Sequence, residues 1–391
     1  MSATAHLPMI CLSANGNTLS ESEQAARTLL VATAEAVLEF ERTDAQAPWR
    51  CTRRDILQGQ HVSALLHEPR SGLLFAGLHF QGGLQVSADR GRTWEPRNTG
   101  IKSGHVYSLH VQYVGERTVL YLGTEPVMLY RSEDLGRSWT ALPAVLDVPD
   151  TDKWFFPRSA GAHIKHIASH PSEPRTLYLC VEQGDLLKST DAGASWRPLT
   201  SLERPDDKFR RDMHRVTFNR SNPREIFLTT GIGMYHSMDA GDSWERITDT
   251  RFVLGYPDPF FIHPSKPSVM FMCGAGMNPN PEWAKTGTAN PVFMRSTDAG
   301  RTWVEAMNGM RRPVRGNIEA VALHASREAG VELFAGTACG ELYTSRDEAQ
   351  SWSVIADQIP PVSKGPHFRH FLPSDQRAAY EERLRSIGAF A

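Results

Sequence analysis

Tryptophan recurs along this chain with a regularity that few folds accommodate. Seven of the nine tryptophans follow one another at a mean step of about 50 residues, a period typical of propeller blades and solenoid repeats. Each closes a motif of the form S-x-D-x-G-x-[ST]-W or a weaker version of it. An Asp side chain can bond the backbone N–H groups of its own turn and a Gly tolerates positive φ, so the motif predicts a tight loop between two strands. The seven residues are Trp49, Trp94, Trp139, Trp196, Trp244, Trp303 and Trp352.

Five copies of the motif are nearly perfect, over residues 87–94, 132–139, 189–196, 237–244 and 296–303. They resemble the Asp-box of the bacterial-neuraminidase-type (BNR) repeat. The chain is therefore similar, from residue 28 to residue 373, to the Asp-box β-propellers, a superfamily that includes sialidases, sortilin-type receptors and photosystem assembly factors. The resemblance implies an all-β fold and leaves the function open, because functional sites are grafted onto folds.

A sialidase would need three arginines, a tyrosine–glutamate nucleophile pair, an aspartic acid and an Arg-Ile-Pro-like segment near the first blade. No such segment is present near the first blade. The stretches FFPRSA (residues 155–160) and MRRPVRG (residues 310–316) match it imperfectly and lie elsewhere. The chain is therefore expected to lack the sialidase catalytic residues.

Two further apolar runs precede each motif, which makes four short strands per repeat. The sequence predicts a single all-β domain over residues 1–391, a seven-bladed propeller. The segment GPHFRHFLP (365–373) matches GAHIKHIASHP (161–171), so it is predicted to be the innermost strand of blade one and to close the ring. A C-terminal helix is predicted over 374–391. The predicted blades lie near 28–52 with 365–373, then 61–97, 105–142, 163–199, 213–247, 256–306 and 317–355.

Composition limits the partners of the chain. Lys and Arg number 42 against 44 Asp and Glu, and without a basic excess we expect no nucleic-acid partner. No run of eighteen apolar residues is present, so we expect no membrane partner. The five cysteines are widely spaced and never form a CxxC pair, which favours reduced thiols. The N-terminal residues lack the pattern of a secretory signal, and together these features predict a cytoplasmic location.

Five histidines share one position at or near the start of the innermost strands. Imidazole is the commonest metal-ligand side chain, so the sequence predicts one divalent transition metal on the axis, with Fe, Zn, Mn, Ni and Cu left open. The predicted ligands are His61, His105, His163, His214 and His367. The facing position, at the end of the second strand, carries Glu35, His79, Glu125 and Glu182.

Glu35 and His79 are predicted to orient the metal ligands, and Glu125 and Glu182 to act as catalytic acid or base. The alternative that the histidines only line the channel stays open. Two long loops, residues 146–161 and 274–291, are expected to wall a pocket for a small organic substrate, aromatic or anionic. Their predicted substrate-binding residues are Trp154, Phe155, Phe156, Arg158, Trp283 and Lys285.

These features predict a metal-dependent enzyme, either a hydrolase, a lyase or an oxygenase, that acts on a small molecule at the axial mouth. The first alternative is a non-catalytic propeller that binds a protein partner, and the second is a glycosidase. No P-loop, GxSxG or HExxH motif occurs, so nucleotide, α/β-hydrolase and zincin mechanisms have no support.

Overall fold

The computed structural model describes residues 8–16, 19–80, 82–156, 161–199, 211–248, 252–276 and 281–386. Within these residues the chain forms seven sheets, and the innermost strands of successive sheets contact one another around a ring. The prediction of an all-β, seven-bladed propeller is confirmed.

Six blades have four strands in order from the axis outward, and the sheet of blade seven has a fifth strand, β2 Leu19–Ser22, at its inner edge. Blades one to three are β1 Met9–Leu12, β3 Thr28–Ala32, β4 Val37–Glu41 and β5 Arg50–Ile56; β6 Val62–Glu68, β7 Leu73–Leu78, β8 Gly83–Ser87 and β9 Glu95–Pro96; and β10 Val106–Val114, β11 Arg117–Thr124, β12 Leu129–Ser132 and β13 Thr140–Ala141. Blades four and five are β14 His163–Ser169, β15 Leu177–Glu182, β16 Leu186–Ser189 and β17 Arg197–Pro198; and β18 Met213–Phe218, β19 Ile226–Thr230, β20 Gly233–Ser237 and β21 Glu245–Arg246. Blades six and seven are β22 Tyr256–His263, β23 Lys266–Ala275, β24 Val292–Ser296 and β25 Val304–Glu305; and β26 Ile318–Ser326, β27 Gly330–Thr337, β28 Leu342–Ser345 and β29 Ser353–Ala356.

The repeated motif is the loop between the third and fourth strands of a blade. In blade four, the Ser189 hydroxyl donates to Oδ1 of Asp191 at 2.8 Å. The same carboxylate accepts from the backbone N–H and the hydroxyl of Ser195, at 2.9 and 2.6 Å. Equivalent bonds recur in blades two, three, five, six and seven. Blade seven keeps the loop although Ala349 stands at the glycine position, where its φ is 64°.

The ring closes through the N-terminal segment. β1 pairs in parallel with β3 and contacts the innermost strands of both neighbouring blades. The predicted closing strand over 365–373 is wrong, because Pro366–Phe371 is a 3₁₀-helix. A proline cannot donate to a sheet ladder, whereas the apolar run of β1 pairs along its whole length and is buried.

Blades one and seven are joined by several further contacts. β2, Leu19–Ser22, pairs in parallel with β26 inside blade seven. A buried ion pair joins Arg42 of blade one to Glu332 of blade seven at 2.8 Å. Apolar side chains of both blades, Phe40 and Phe334 among them, form one core cluster.

The helices are short. α1 is Pro281–Thr286 and α2 is Ser374–Ser386, and further 3₁₀-helices cover Pro143–Leu146 and Thr151–Lys153. None of the helices in the described part of the chain has the length and apolar character needed to cross a bilayer.

Candidate functional site

The side chains of the candidate site are placed by a β-bulge near the start of each innermost strand in blades two to seven. A bulge adds a residue to one strand and re-aims its side chain. The bulged residues are Ser63, Tyr107, Lys165, His214, Asp258 with Pro259, and Glu319.

The residue two positions before each bulge faces the same axial mouth, and the ends of the second strands return to it. His163, at this position in blade four, pairs directly with Glu182 at the end of β15. The equivalent residue of blade five is Asp212, so the alignment that placed His214 with the other histidines is shifted by two residues. The equivalent residue of blade six is Tyr256.

The imidazole of His163 lies between two carboxylates. Its Nε2 is 2.7 Å from Oε2 of Glu182, and its Nδ1 is 3.1 Å from Oε2 of Glu125. The Tyr107 ring stacks on it with centroids 3.7 Å apart. Burial alone would lower the pKa of His163, but the two carboxylates outweigh burial and raise it. Both ring nitrogens of His163 therefore face carboxylates, and a proton on either nitrogen occupies the lone pair that a metal ion would need.

Two buried lysines neutralise the carboxylates at the centre of the mouth. The Nζ atoms of Lys165 and Lys364 donate to the same oxygen of Asp258, at 2.8 and 2.5 Å. They also lie 3.7 and 3.6 Å from Glu182. Burial alone would raise the pKa of both carboxyls, but the ammonium groups outweigh it and hold both pKa values below their usual range. Asp258 and Glu182 are therefore ionised at neutral pH.

A tyrosine and two carboxylates come together beside this network. The Tyr256 hydroxyl donates to Oε1 of Glu182 at 3.3 Å and accepts from Nζ of Lys364 at 3.3 Å. Single polar atoms of Glu182, Asp212 and His214 all lie within 4.8 Å of one another. Burial raises the pKa of Tyr256 well above its usual value, so the phenol is neutral in this arrangement.

Lys364 reaches the mouth on the C-terminal strap, which we define as residues 361–371. Glu319 holds the strap: it accepts from the Ser363 hydroxyl and from the Lys364 backbone N–H, both at 2.9 Å. Its other oxygen is 3.0 Å from Nδ1 of His367. The strap therefore lies over the network and contributes a charge to it.

A second cluster lies at the edge of the same mouth, between blades two and three, and we call it the rim cluster. One ligand atom each of His79, His105 and Glu125 lies within 4.8 Å of the other two. Nδ1 of each imidazole is buried and has no hydrogen-bond partner among the residues that the structure describes. Burial lowers the pKa of both histidines, that of His79 most strongly.

The structure does not gather the five predicted metal ligands around one point. His105 lies in the rim cluster with His79, which was predicted only to orient a ligand. Glu35 is exposed. The other four histidines contact a carboxylate or a backbone carbonyl. His61 lies 3.0 Å from the carbonyl oxygen of Ser363, and His214 lies 2.6 Å from that of Pro257. His163 contacts its two glutamates, and His367 contacts Glu319.

Two of the predicted substrate-binding aromatics border the mouth. The Phe156 ring meets His163 edge-on with centroids 4.7 Å apart. Trp283 is fully buried and stacks on Phe371 of the strap at 5.7 Å. Trp283 therefore packs the strap in place, and its buried ring offers no free face to a substrate.

Three of the other predicted substrate-binding residues lie outside the network at the mouth, and the fourth is not described. Trp154 donates to Oδ2 of Asp185 at 3.1 Å and packs against the core of blades three and four. Phe155 is 64% exposed, and Lys285 is exposed on α1. Arg158 lies outside the described residues.

Sequence reasoning missed several residues of the central network. The signal for Lys165 was available, because it follows His163 within a strand assigned to the axis. Lys364 was missed because it lies just before the segment 365–373, the segment that was assigned to a strand. The residues missed are Lys165, Asp212, Tyr256, Glu319 and Lys364, together with Asp258, which was noted only as one of two residues at the blade-six position.

Comparison with curated proteins links the chain to xyloglucanases. No family model matches it. It is 22% identical over 213 residues to a probable oligoxyloglucan-reducing end-specific xyloglucanase of Neosartorya fischeri, and 23% identical over 308 residues to a xyloglucanase of a Paenibacillus species. The matches cover 51% and 71% of this chain but only 24% and 28% of those proteins. The chain thus spans about a quarter of the length of these relatives.

Solved structures give the same fold. The GH74 enzyme of Niastella koreensis superimposes with a TM-score of 0.59 at 16% identity, over 87% of this chain and 54% of that one. YCF48 bound to D1 peptide superimposes with a TM-score of 0.51 at 14% identity, over 83% and 91% of the two chains. At these identities the likeness is one of fold alone.

The predicted metal-dependent hydrolase, lyase or oxygenase is contradicted by these comparisons. The curated xyloglucanases and the GH74 structure are glycoside hydrolases, the class that the sequence analysis ranked last. The names of these proteins mention xyloglucan and D1 peptide, and none of them mentions a small aromatic or anionic substrate.

Proposed function

We propose that the protein is a glycoside hydrolase in which the Tyr256 hydroxyl is the nucleophile and Glu182 is its base. The observation that carries the proposal is the 3.3 Å hydrogen bond from Tyr256 to a buried, ionised glutamate at the axial mouth. A tyrosine is the nucleophile in one group of glycosidases, the sialidases, and its pairing with a glutamate here was not expected from the sequence. The xyloglucanase relatives support a carbohydrate as the substrate class.

The reaction takes place in two displacements. Tyr256 attacks the anomeric carbon and gives its proton to Glu182, while Asp212 protonates the leaving-group oxygen. Water then attacks the tyrosyl-linked sugar, with Asp212 as base, and the proton on Glu182 returns to Tyr256. The sugar keeps its anomeric configuration because it is inverted twice.

The C-terminal strap regulates access to these groups. Tyr256 and Glu182 are buried, and Lys364 contacts both of them. The strap must therefore withdraw before a sugar can reach the tyrosine. Withdrawal also removes one cation from Glu182 and makes it a stronger base.

Aryl glycosides and xyloglucan oligosaccharides should be hydrolysed with retention of configuration, measured by product NMR. Tyr256→Phe and Glu182→Gln should each lower kcat/KM by about 100-fold or more, because each removes a group that acts in the transition state. An activated fluorinated glycoside should label the peptide that contains Tyr256, detected by mass spectrometry.

Tyr130→Phe provides the matched control. Tyr130 is a buried tyrosine in β12 whose hydroxyl accepts a hydrogen bond from the Lys102 backbone N–H, and we expect full activity. Undiminished hydrolysis by a folded Tyr256→Phe variant would overturn the nucleophile. A folded wild-type chain inert towards every glycoside tested would favour the peptide-binding propeller instead, the class to which YCF48 points.

A further inference from the structure

We propose that the rim cluster is a divalent transition-metal site, in which His79, His105 and Glu125 bind Zn²⁺ or an ion of the same preference. The site is separate from Tyr256 and Glu182, and the ion has no step in hydrolysis. It would link blade two to blade three, since His79 follows β7 whereas His105 and Glu125 belong to blade three.

The three ligand atoms lie near enough to one another for small side-chain movements to place them around one ion. Each lies within 4.8 Å of the other two, and two imidazoles with one carboxylate are a ligand set that zinc uses when a fourth position stays open. The rings of His79 and His105 are 5.7 Å apart and nearly perpendicular, at 83°. Small rotations of the side chains would bring the donor atoms to bonding distance.

The backbone around the ligands is fixed by hydrogen bonds. The Glu125 N–H donates to the His105 carbonyl at 3.1 Å, and the His79 N–H donates to the His61 carbonyl at 2.9 Å. The Ser103 hydroxyl donates to the Glu125 carbonyl at 2.8 Å. A site held in this way is preorganised, and binding would cost little backbone order.

An independent observation points to a ligand at this position. His79 is 3% exposed, and its Nδ1 has no hydrogen-bond partner among the described residues. Leaving such a buried polar atom unpaired destabilises the folded chain. The Nδ1 of His105 is buried and unpaired in the same way. A cation bonded to these nitrogens would remove both penalties.

The surroundings supply an orienting contact and an entry path. Glu125 lies 3.1 Å from Nδ1 of His163, a contact that fixes the carboxylate as outer partners of metal ligands do. His79 also lines a groove of about 1070 Å³ between blades one and two and α2. An ion can therefore approach from this groove, whose lining includes Pro361 and Phe368 of the strap.

The test is calorimetric titration of the full chain with Zn²⁺ alone, after purification without a histidine tag and removal of metals with a chelator. We expect one ion per chain and a rise in melting temperature on binding. His79→Ala and His105→Ala should each weaken binding by about 100-fold or more, since losing a ligand exceeds the 10–100-fold cost of losing an outer partner. His105→Asn is a second variant in case the alanine variant does not fold.

His110→Ala is the matched control, because His110 lies in β10, five residues after His105, and contacts Ser169. It should bind Zn²⁺ as the wild type does. Absence of binding by the wild type would overturn the proposal. So would a Zn²⁺ affinity that His214→Ala abolishes and His79→Ala leaves unchanged, because that result would place the ion at Glu182, Asp212 and His214.

Discussion

Two patterns recur in this sequence, the repeated Trp-closed motif and the axial histidines with their facing carboxylates. Their residues differ in how far along the chain their bonding partners lie. Asp191 bonds residues no more than four positions away, so its role could be predicted from the motif. Glu182 meets Lys364, 182 positions further along the chain. Local pattern carries no information on such a pair.

The β-bulges explain why the axial alignment failed at one residue. His214 looks equivalent to His163, but it occupies the bulge, and Asp212 takes the aligned position. A bulge inserts one extra residue and breaks the strict two-residue alternation of side chains along the strand. The sequence could therefore predict that polar residues face the axis and could not predict which ones meet.

Asp134→Ala tests how much the aspartate of the repeated motif contributes to the stability of the fold. Asp134 accepts from the hydroxyls of Ser132 and Ser138 at 2.8 and 2.6 Å. Burial alone would raise its pKa, but these bonds outweigh it and lower the pKa to about 2. A lowered pKa stabilises the fold above the unfolded-state value of about 4, and the contribution disappears as pH falls.

We expect the Asp134→Ala variant to lose about 1 kcal/mol of unfolding free energy at pH 7, because the carboxylate is largely solvated. The difference from wild type should shrink as pH falls from 5 towards 2, measured by urea unfolding. Glu116→Ala, at an exposed turn, should stay within about 0.5 kcal/mol at every pH. A difference that does not change with pH would contradict this account.

At the scale of elements, sequence similarity assigned closure of the ring to the segment 365–373, whereas β1 closes it. GPHFRHFLP and GAHIKHIASHP share their spacing of histidines and aliphatic positions, yet one contains a proline within the paired region and becomes a 3₁₀-helix. The strap instead acts through its side chains, since Lys364 completes the charge balance of the mouth. The residue composition of the segment 365–373 predicted that it is buried. The missing backbone N–H of its proline decided that it is not a strand.

The substitution Lys364→Met tests the charge balance of the mouth. The substitution keeps most of the side-chain volume and leaves Asp258 and Glu182 with Lys165 as the remaining lysine of the network. Removing one partner of a buried ion network typically costs about 3–5 kcal/mol, and we expect a loss of that size in denaturant unfolding. Lys102→Met, at an exposed position, should change stability by less than about 0.5 kcal/mol. Equal stability of the two variants would show that the strap lysine is dispensable.

At the scale of the whole molecule, the number of blades followed from counting the repeated motif, whereas the way the ring closes did not. Closure depends on β1 and β2, two four-residue strands that precede the first box and carry no motif. Both pair in parallel with strands that are not their chain neighbours. Such pairings depend on the three-dimensional path of the chain and leave no periodic signal.

Truncation tests whether the N-terminal strands close the ring. Deleting residues 1–24 removes β1 and β2, which exposes the inner edge of blade one and takes the β2 strand from blade seven. Open edges of this kind promote aggregation, so we expect insoluble protein or loss of the cooperative melting transition. Deleting residues 374–391 removes α2, which pairs with no strand, and should leave a soluble propeller that melts cooperatively. If the first truncation melts like the full chain by circular dichroism, the N-terminal strands do not close the ring.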